Sequence, residues 1–423
     1  MAAILLIIIF ILGYTAIALE RRIHVDKAAS ALLTGVLCWV VCIFDSTNIG
    51  GTTDQLMHHV AEISSILFFL LGAMTIVELI DSHGGFQYIT RKITTKSLPK
   101  LLVIVTVITF FLSAFLDNLT TAIVMVSLTT KLLTEKEDRL WFAGMIIIAA
   151  NAGGAWSPLG DVTTTMLWIG GQITALNIIY KTFIPSVAVC LLPLLIIARK
   201  FKGRVQPLKH VHPVRIHGDG NIILLSGLGS LLFVPAFKMI THLPPFMGMM
   251  LALGAMWIIT SLIHRDRPNE EKGKFSVSNA LQRIDIPSIL FFLGILLAVS
   301  ALDSSGLLKT FALALEAALK NTYMIGTVMG LFSGIVDNVP LVAASQGMYD
   351  LREFPTDHYF WEFLALTTGT GGSIILIGSA AGVAAMGIEE IDFIWYLKKI
   401  SWIALIGFGS GAAVYILMEN LAH

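Results

Sequence analysis

Ser113-Ala114-Phe115-Leu116-Asp117-Asn118 returns in the second half of the chain as Ser333-Gly334-Ile335-Val336-Asp337-Asn338, each time embedded in apolar sequence. A carboxylate at membrane depth costs roughly 2.5–3.5 kcal/mol even on lenient insertion scales, so it is seldom kept without a task. Two of them, at matching places in two halves, read as paired ion-binding elements around one site. That is a transporter pattern.

The surrounding composition agrees. Of 423 residues 56% are hydrophobic and only 13% charged, with a mean hydropathy of +0.82. Soluble domains carry about 25% charged residues, so this is the composition of a polytopic helical membrane protein. Lys and Arg balance Asp and Glu at 28 each, and the net charge gives no hint of nucleic acid or another charged partner. Cys38, Cys42 and Cys190 all fall in apolar segments, with neither a disulfide framework nor a metal spacing. Met1-Ala2-Ala3-Ile4 onward has no basic leader and reads as the first span.

Hydropathy predicts spans at 2–19, 28–44, 60–80, 139–171 and 174–197, then at 219–237, 244–264, 285–303, 359–388 and 391–418. The stretches with the Asp-Asn pairs, 100–133 and 322–347, would each carry a charge through mid-bilayer if they crossed it. As re-entrant hairpins they place the pair at a tip covered by protein or water. The expected fold is an all-α polytopic membrane protein of ten transmembrane spans plus two re-entrant hairpins. With both termini outside, nearly every Lys and Arg falls on the cytoplasmic side, and only Lys181, Lys238, Lys309, Lys320 and Arg352 lie outside.

The duplication runs further. Ser65-Ile66-Leu67-Phe68-Phe69-Leu70 matches Ser288-Ile289-Leu290-Phe291-Phe292-Leu293, and Gly153-Gly154 with Gly160 matches Gly371-Gly372 with Gly378. Five spans per half, an odd number, place the copies in opposite orientation as two inverted-topology repeats. The predicted division is an N-terminal repeat 1–200 (hairpin 100–133, broken helix 139–171), a cytoplasmic linker 201–218 and a C-terminal repeat 219–423 (hairpin 322–347, broken helix 359–388).

Asn151-Ala152-Gly153-Gly154-Ala155-Trp156-Ser157-Pro158-Leu159-Gly160-Asp161 and the threonines after it cannot form one regular helix. A break there frees backbone groups, and the half-helix ends offer partial charges to an ion. Asp161 adds a third carboxylate, and Ser379 stands at the matching place in the second half. The candidate ion- and proton-binding set is Asp117, Asn118, Thr120, Thr121, Asn151, Ser157, Asp161, Thr163, Asp337, Asn338, Thr370, Ser373 and Ser379. All are oxygen donors, which suits a hard alkali cation, with Asp117, Asp161 and Asp337 as the charged ligands of Na+ or Li+. An Asp at a helix break is often only an N-cap; the duplication inside apolar sequence favours a functional reading here.

Other polar residues invite plainer readings. Glu78, Asp81 and Asp303 lie toward span ends and suit interfacial anchoring, and Glu62, at the outer entrance of the third span, is a candidate pathway residue. His210, His212 and His217 belong to a solvated linker, and 84–98 and 306–320 look like amphipathic surface connectors.

"FLDNLTT" (Phe115–Thr121), "NAGGAWSPLGDVTTTMLWIGGQIT" (Asn151–Thr174) and "VDNVP" (Val336–Pro340) together resemble the NhaD-type sodium/proton antiporters of the ion transporter superfamily, and the likeness runs along most of the chain. It implies a homodimer and elevator-like movement of the hairpin-bearing regions. The nearest alternative is a sodium-coupled dicarboxylate or citrate carrier of the same superfamily, which bears neutral Ser-Asn-Thr tips. Two fixed carboxylates repel an anion by roughly 4 kcal/mol per pair of charges at about 4 Å in an effective dielectric of about 20, so a cation is the expected substrate. No nucleophile–base pair or zinc spacing suggests an enzyme, and no cofactor is expected. The expected activity is exchange of cytoplasmic Na+ or Li+ for external H+, the two competing for the same carboxylates, in a bacterial inner membrane.

Overall fold

The structure is a computed structural model that describes residues 2–85, 95–205, 219–265, 275–335 and 337–422. The linker histidines His210, His212 and His217, Val336 and most of the connector 84–98 lie outside the described residues. The helices among them are α1 (Ala2–Ala18), α2 (Glu20–Ile23), α3 (Lys27–Asp45), α4 (Ile49–Ser82), α5 (Leu98–Ser113), α6 (Asn118–Leu132), α7 (Lys136–Gly154), α8 (Val162–Ile169), α9 (Ala175–Lys200) and α10 (Gly220–Thr241). They continue with α11 (Pro245–Ile263), α12 (Val277–Arg283), α13 (Ile286–Ser304), α14 (Leu307–Leu319), α15 (Thr322–Phe332), α16 (Asn338–Met348), α17 (Tyr359–Gly371), α18 (Ala380–Glu389), α19 (Phe393–Lys399) and α20 (Ser401–Ala422).

Local chemistry sets many of these ends. Asp26 caps α3 by accepting from Ala28 N at 2.7 Å, and Asp285 caps α13 by accepting from Ser288 N at 3.1 Å. Asn321 does the same for α15 through Tyr323 N and Met324 N. Such caps satisfy amides that the first turn leaves without a partner.

Seven of the described helices are long and apolar enough to cross a membrane: α3, α4, α9, α10, α11, α13 and α20. Their outward faces are apolar too. On α9 the exposed residues include Leu176, Tyr180, Ile184, Leu191 and Leu195, spaced along one side at helical intervals. A helix facing water would carry polar residues there; this one is dressed for hydrocarbon.

Two predicted boundaries shift. The third span, expected at 60–80, is part of a 34-residue helix that starts at Ile49. At 1.5 Å per residue it is about 51 Å long, well beyond a hydrocarbon core of about 30 Å. Its first turns carry Asp54 and His58, polar residues that hydropathy scored as loop although Asn48 caps a helix there. The last span, expected at 391–418, is two helices, α19 and α20, parted at Ile400.

The helices gather into two packed groups. In one, α3 lies along α13 and α1, and α4 packs on α10, α11 and α13. In the other, α5 and α6 pack on α7, α15 packs on α17, α18 packs on α6 and α7, and α9 runs along α20. Lys181–Glu419 at 2.7 Å ties α9 to α20, and Arg139–Glu389 at 3.0 Å ties α7 to α18. The groups meet where α16 touches α13 and α8 touches α4, and the polar site sits there.

Candidate functional site

Four helix starts build the site. After α5 the chain turns through Ala114–Leu116, and Asp117 caps α6: its two carboxylate oxygens accept from Thr120 N and Thr120 Oγ1, both at 2.8 Å. After α15 the chain turns again, and Asp337 caps α16 by accepting from Val339 N at 3.2 Å. Asp161 caps α8 at the break that follows α7, accepting from Thr163 N at 3.1 Å. Ser379 caps α18 at the break that follows α17, accepting from Gly382 N at 3.2 Å. The plain N-cap reading of these residues is therefore geometrically true, but it does not exhaust what they do.

Close backbone approach holds the tips against the breaks. Ser113 Oγ donates to Ala150 O, and Ser333 Oγ donates to Thr368 O, each at 2.6 Å. A methyl group at Gly153 would overlap the Phe110 carbonyl, and one at Gly371 would overlap the Gly330 carbonyl. Only glycine permits these contacts.

A buried polar network then crosses between the halves. Asn118 Nδ2 donates to Asn151 Oδ1 and to Asp161 Oδ2, both at 3.0 Å. Asn338 Nδ2 donates to the same carboxylate, at 3.1 Å to Oδ2 and 3.3 Å to Oδ1. Asn151 Nδ2 donates to Ser373 Oγ at 2.8 Å and to Ser379 Oγ at 2.9 Å. Asp161, 2% exposed, thus binds the asparagine of each tip. An amide NH2 on a carboxylate is the one orientation that avoids oxygen facing oxygen, which fixes how both asparagines point.

Asp117, Asn118, Asp161, Asp337 and Asn338 line one cavity of about 70 Å³. Its opposite wall is apolar, with Phe69, Met74, Leu231, Met249 and Phe292, and Lys27 and Ser288 also line it. Asn151, Ser373 and Ser379 stand one layer behind, through the network above. Thr120 hydrogen-bonds to Asp117 through both its backbone NH and its hydroxyl. Thr121, Ser157, Thr163 and Thr370 do not line the cavity: Thr121 and Thr163 are buried in the helix starts behind it, Ser157 Oγ accepts from Leu159 N, and Thr370 Oγ1 returns to Leu366 O at 2.6 Å. Among the described residues, no three His, Cys, Asp or Glu side chains cluster tightly enough to hold a metal ion. The three carboxylates line the cavity as separate charges, and an ion there would share amide oxygens and water with them.

Sequence reasoning missed two features. By its place in the sequence Lys27 belongs with the cytoplasmic loop charges, and nothing along the chain signals that it lines the cavity. The sharing of Asp161 by both tips depends on the packing of distant segments. The one available signal was the lone acid at 161 opposite Ser379.

The chain matches the model of the CitMHS family, described as citrate transporter, over residues 4–369. It belongs to that family. Within it, the chain is 47% identical over 417 residues to "Sodium/proton antiporter 1" of Arabidopsis thaliana, covering 98% of this chain and 72% of the relative. It is 44% identical over 418 residues to "Sodium/proton antiporter 2" of the same plant, covering 98% and 99%. "Na(+)/H(+) antiporter NhaD" of Vibrio cholerae is 28% identical over 443 residues, covering 98% and 91%. The NhaD-type resemblance read from the motifs is borne out. This member of the citrate transporter family is a multi-pass membrane transporter, not an enzyme.

Proposed function

We propose that the chain exchanges cytoplasmic Na+ or Li+ for external H+ at the cavity lined by Asp117, Asp161 and Asp337. The observation that carries this reading is the convergence on Asp161 of one asparagine from each tip, with the other two carboxylates in the same cavity. Four helix starts each contribute about half a positive charge. Alone they would favour an anion; the three carboxylates of Asp117, Asp161 and Asp337 outweigh them and turn the site toward a cation or a proton. The names of the plant and bacterial relatives, sodium/proton antiporters, point the same way.

The finer parts of the proposal rest on arrangement. The seven membrane-crossing helices, together with α1 and the two broken units α7–α8 and α17–α18, make ten spans, and α5–α6 and α15–α16 are the two re-entrant hairpins. Matching tip contacts in residues 1–200 and 219–423 support two inverted repeats joined by the linker 201–218. The cavity separates the tip-bearing group from the group around α3, α4 and α13, which supports elevator movement of the first against the second. A homodimer, both termini outside and a bacterial inner membrane complete the reading. In the transport cycle, protons load the carboxylates from outside, the tip-bearing group moves, and sodium displaces them on the cytoplasmic side.

The family description favours one other reading, sodium-coupled citrate or dicarboxylate transport. Proton flux in sealed proteoliposomes of purified protein, followed as sodium, lithium, potassium or succinate is added, separates the two. Sodium- or lithium-driven proton flux that vanishes in Asp117→Asn and Asp337→Asn supports antiport. Wild-type flux in Asp337→Asn sinks the two-tip site. Sodium-dependent succinate uptake replaces antiport with the carrier reading.

A further inference from the structure

Among the described residues that line the cavity, Lys27 is the one cationic side chain. It occupies the first position of α3, where the positive end of the helix dipole disfavours an ammonium. Its backbone NH donates to Glu20 Oε1 at 3.1 Å, but none of the ion pairs among the described residues involves its ammonium. The ammonium instead rests over the ring of Phe291, 4.7 Å from the centroid. The side chain is half-buried, and Phe291 is 1% exposed. A lysine held by a π face keeps its charge unneutralised, because the ring attracts it without cancelling it. Helix stability does not explain such a residue, nor does an ion pair among the described groups.

We propose that Lys27 is a tethered counter-cation of the transport cavity, which lowers the affinity for the transported cation and sets the concentration at which transport half-saturates. This rests on the antiport reading above. In the empty cavity the ammonium offsets part of the charge of Asp117, Asp161 and Asp337; an entering sodium ion meets that positive field and must do without it. Phe291 is the parking place that keeps the ammonium from joining the carboxylates outright. The long, rotatable stem of lysine suits both positions.

Sodium titrations of purified Lys27→Met, Lys27→Arg and Phe291→Leu test this, by proton flux in proteoliposomes and by calorimetric sodium binding in detergent. Lys27→Met should lower both the half-saturating sodium concentration and the dissociation constant by about 4- to 16-fold, the effect of one unit charge at roughly 10 Å in an effective dielectric of about 20–40. Lys27→Arg should behave as wild type. Phe291→Leu should shift half-saturation the other way, and the double variant Lys27→Met/Phe291→Leu should match Lys27→Met. Unchanged sodium binding in Lys27→Met overturns the proposal. So does a fall in melting temperature shared by Lys27→Met and Lys27→Arg with sodium affinity untouched, which marks a structural anchor. Should the wild type bind sodium, more tightly in Lys27→Met, yet drive no proton flux, the antiport reading falls and the role of Lys27 stands.

Discussion

The breaks at 155–161 and 372–379 share a frame and differ in charge. Each follows a buried helix, α7 or α17, that meets the preceding tip through a serine hydroxyl and a glycine pressed on a carbonyl. Each ends in a side-chain cap on a short helix. Yet the first cap is Asp161 and the second Ser379, and the asparagines of both tips turn to the acid. Ser379 instead accepts from Asn151, which ties the second break to the first half. The duplicated part is backbone packing, where any change of volume is felt; the divergent part is the charge, which one site needs only once.

This comparison breaks most decisively at Asp161. Asp161→Ser should drop sodium-driven proton flux in proteoliposomes to background, because both asparagine amides lose their charged acceptor. Ser379→Ala should keep measurable flux and cost about 1 kcal/mol of stability as a lost cap. The exchanged pair Asp161→Ser/Ser379→Asp should remain inactive; recovery would mean that the two breaks are interchangeable.

The shared frame makes the next prediction. Gly153→Val and Gly371→Val should each destabilise the protein by at least about 2 kcal/mol, read as a lower melting temperature in detergent, since backbone carbonyls cannot step aside as a flexible side chain would. A loss confined to one half would end the equivalence. Ser113→Ala and Ser333→Ala should each cost about 1 kcal/mol, the usual net value of one such hydrogen bond. A difference above that size between the two would show one tip to be the more firmly held.

The smallest effect lies where α7 and α17 begin. Trp361 Nε1 donates to Phe354 O at 2.9 Å near the start of α17, whereas α7 starts with ion pairs, Arg204–Asp138 at 2.8 Å and Lys200–Glu137 at 2.6 Å. The hydrogen bond from Lys200 holds the Glu137 carboxyl below the usual glutamate range. A depressed acid stabilises the fold above its unfolded pKa and loses that contribution as pH falls through the folded value. Glu137→Gln should therefore cost a few tenths of a kcal/mol at neutral pH, given its exposure. The difference from wild type should fade below about pH 4. Melting curves of the two proteins across pH would show it.

Much of this was legible in the chain. Apolar runs fixed the helical membrane class, because hydrocarbon demands apolar side chains and internally bonded backbone whatever the tertiary details. The two Asp-Asn tips, Asp161 and the glycine-rich breaks stood out because polar or flexible residues are costly in such surroundings. The start of α4 did not, since the polar turn carrying Asp54 and His58 looks like loop to any hydropathy window. Nor did the division of labour among hydroxyls: Thr370 bonds its own helix, while Ser379 reaches Asn151. What the sequence determined by itself was which residues are too expensive to be idle. That Asn118 and Asn338 meet on one carboxylate, and that Lys27 shares the cavity with it, was decided by tertiary packing alone. Those contacts join segments far apart in sequence, and local propensity carries no information about them.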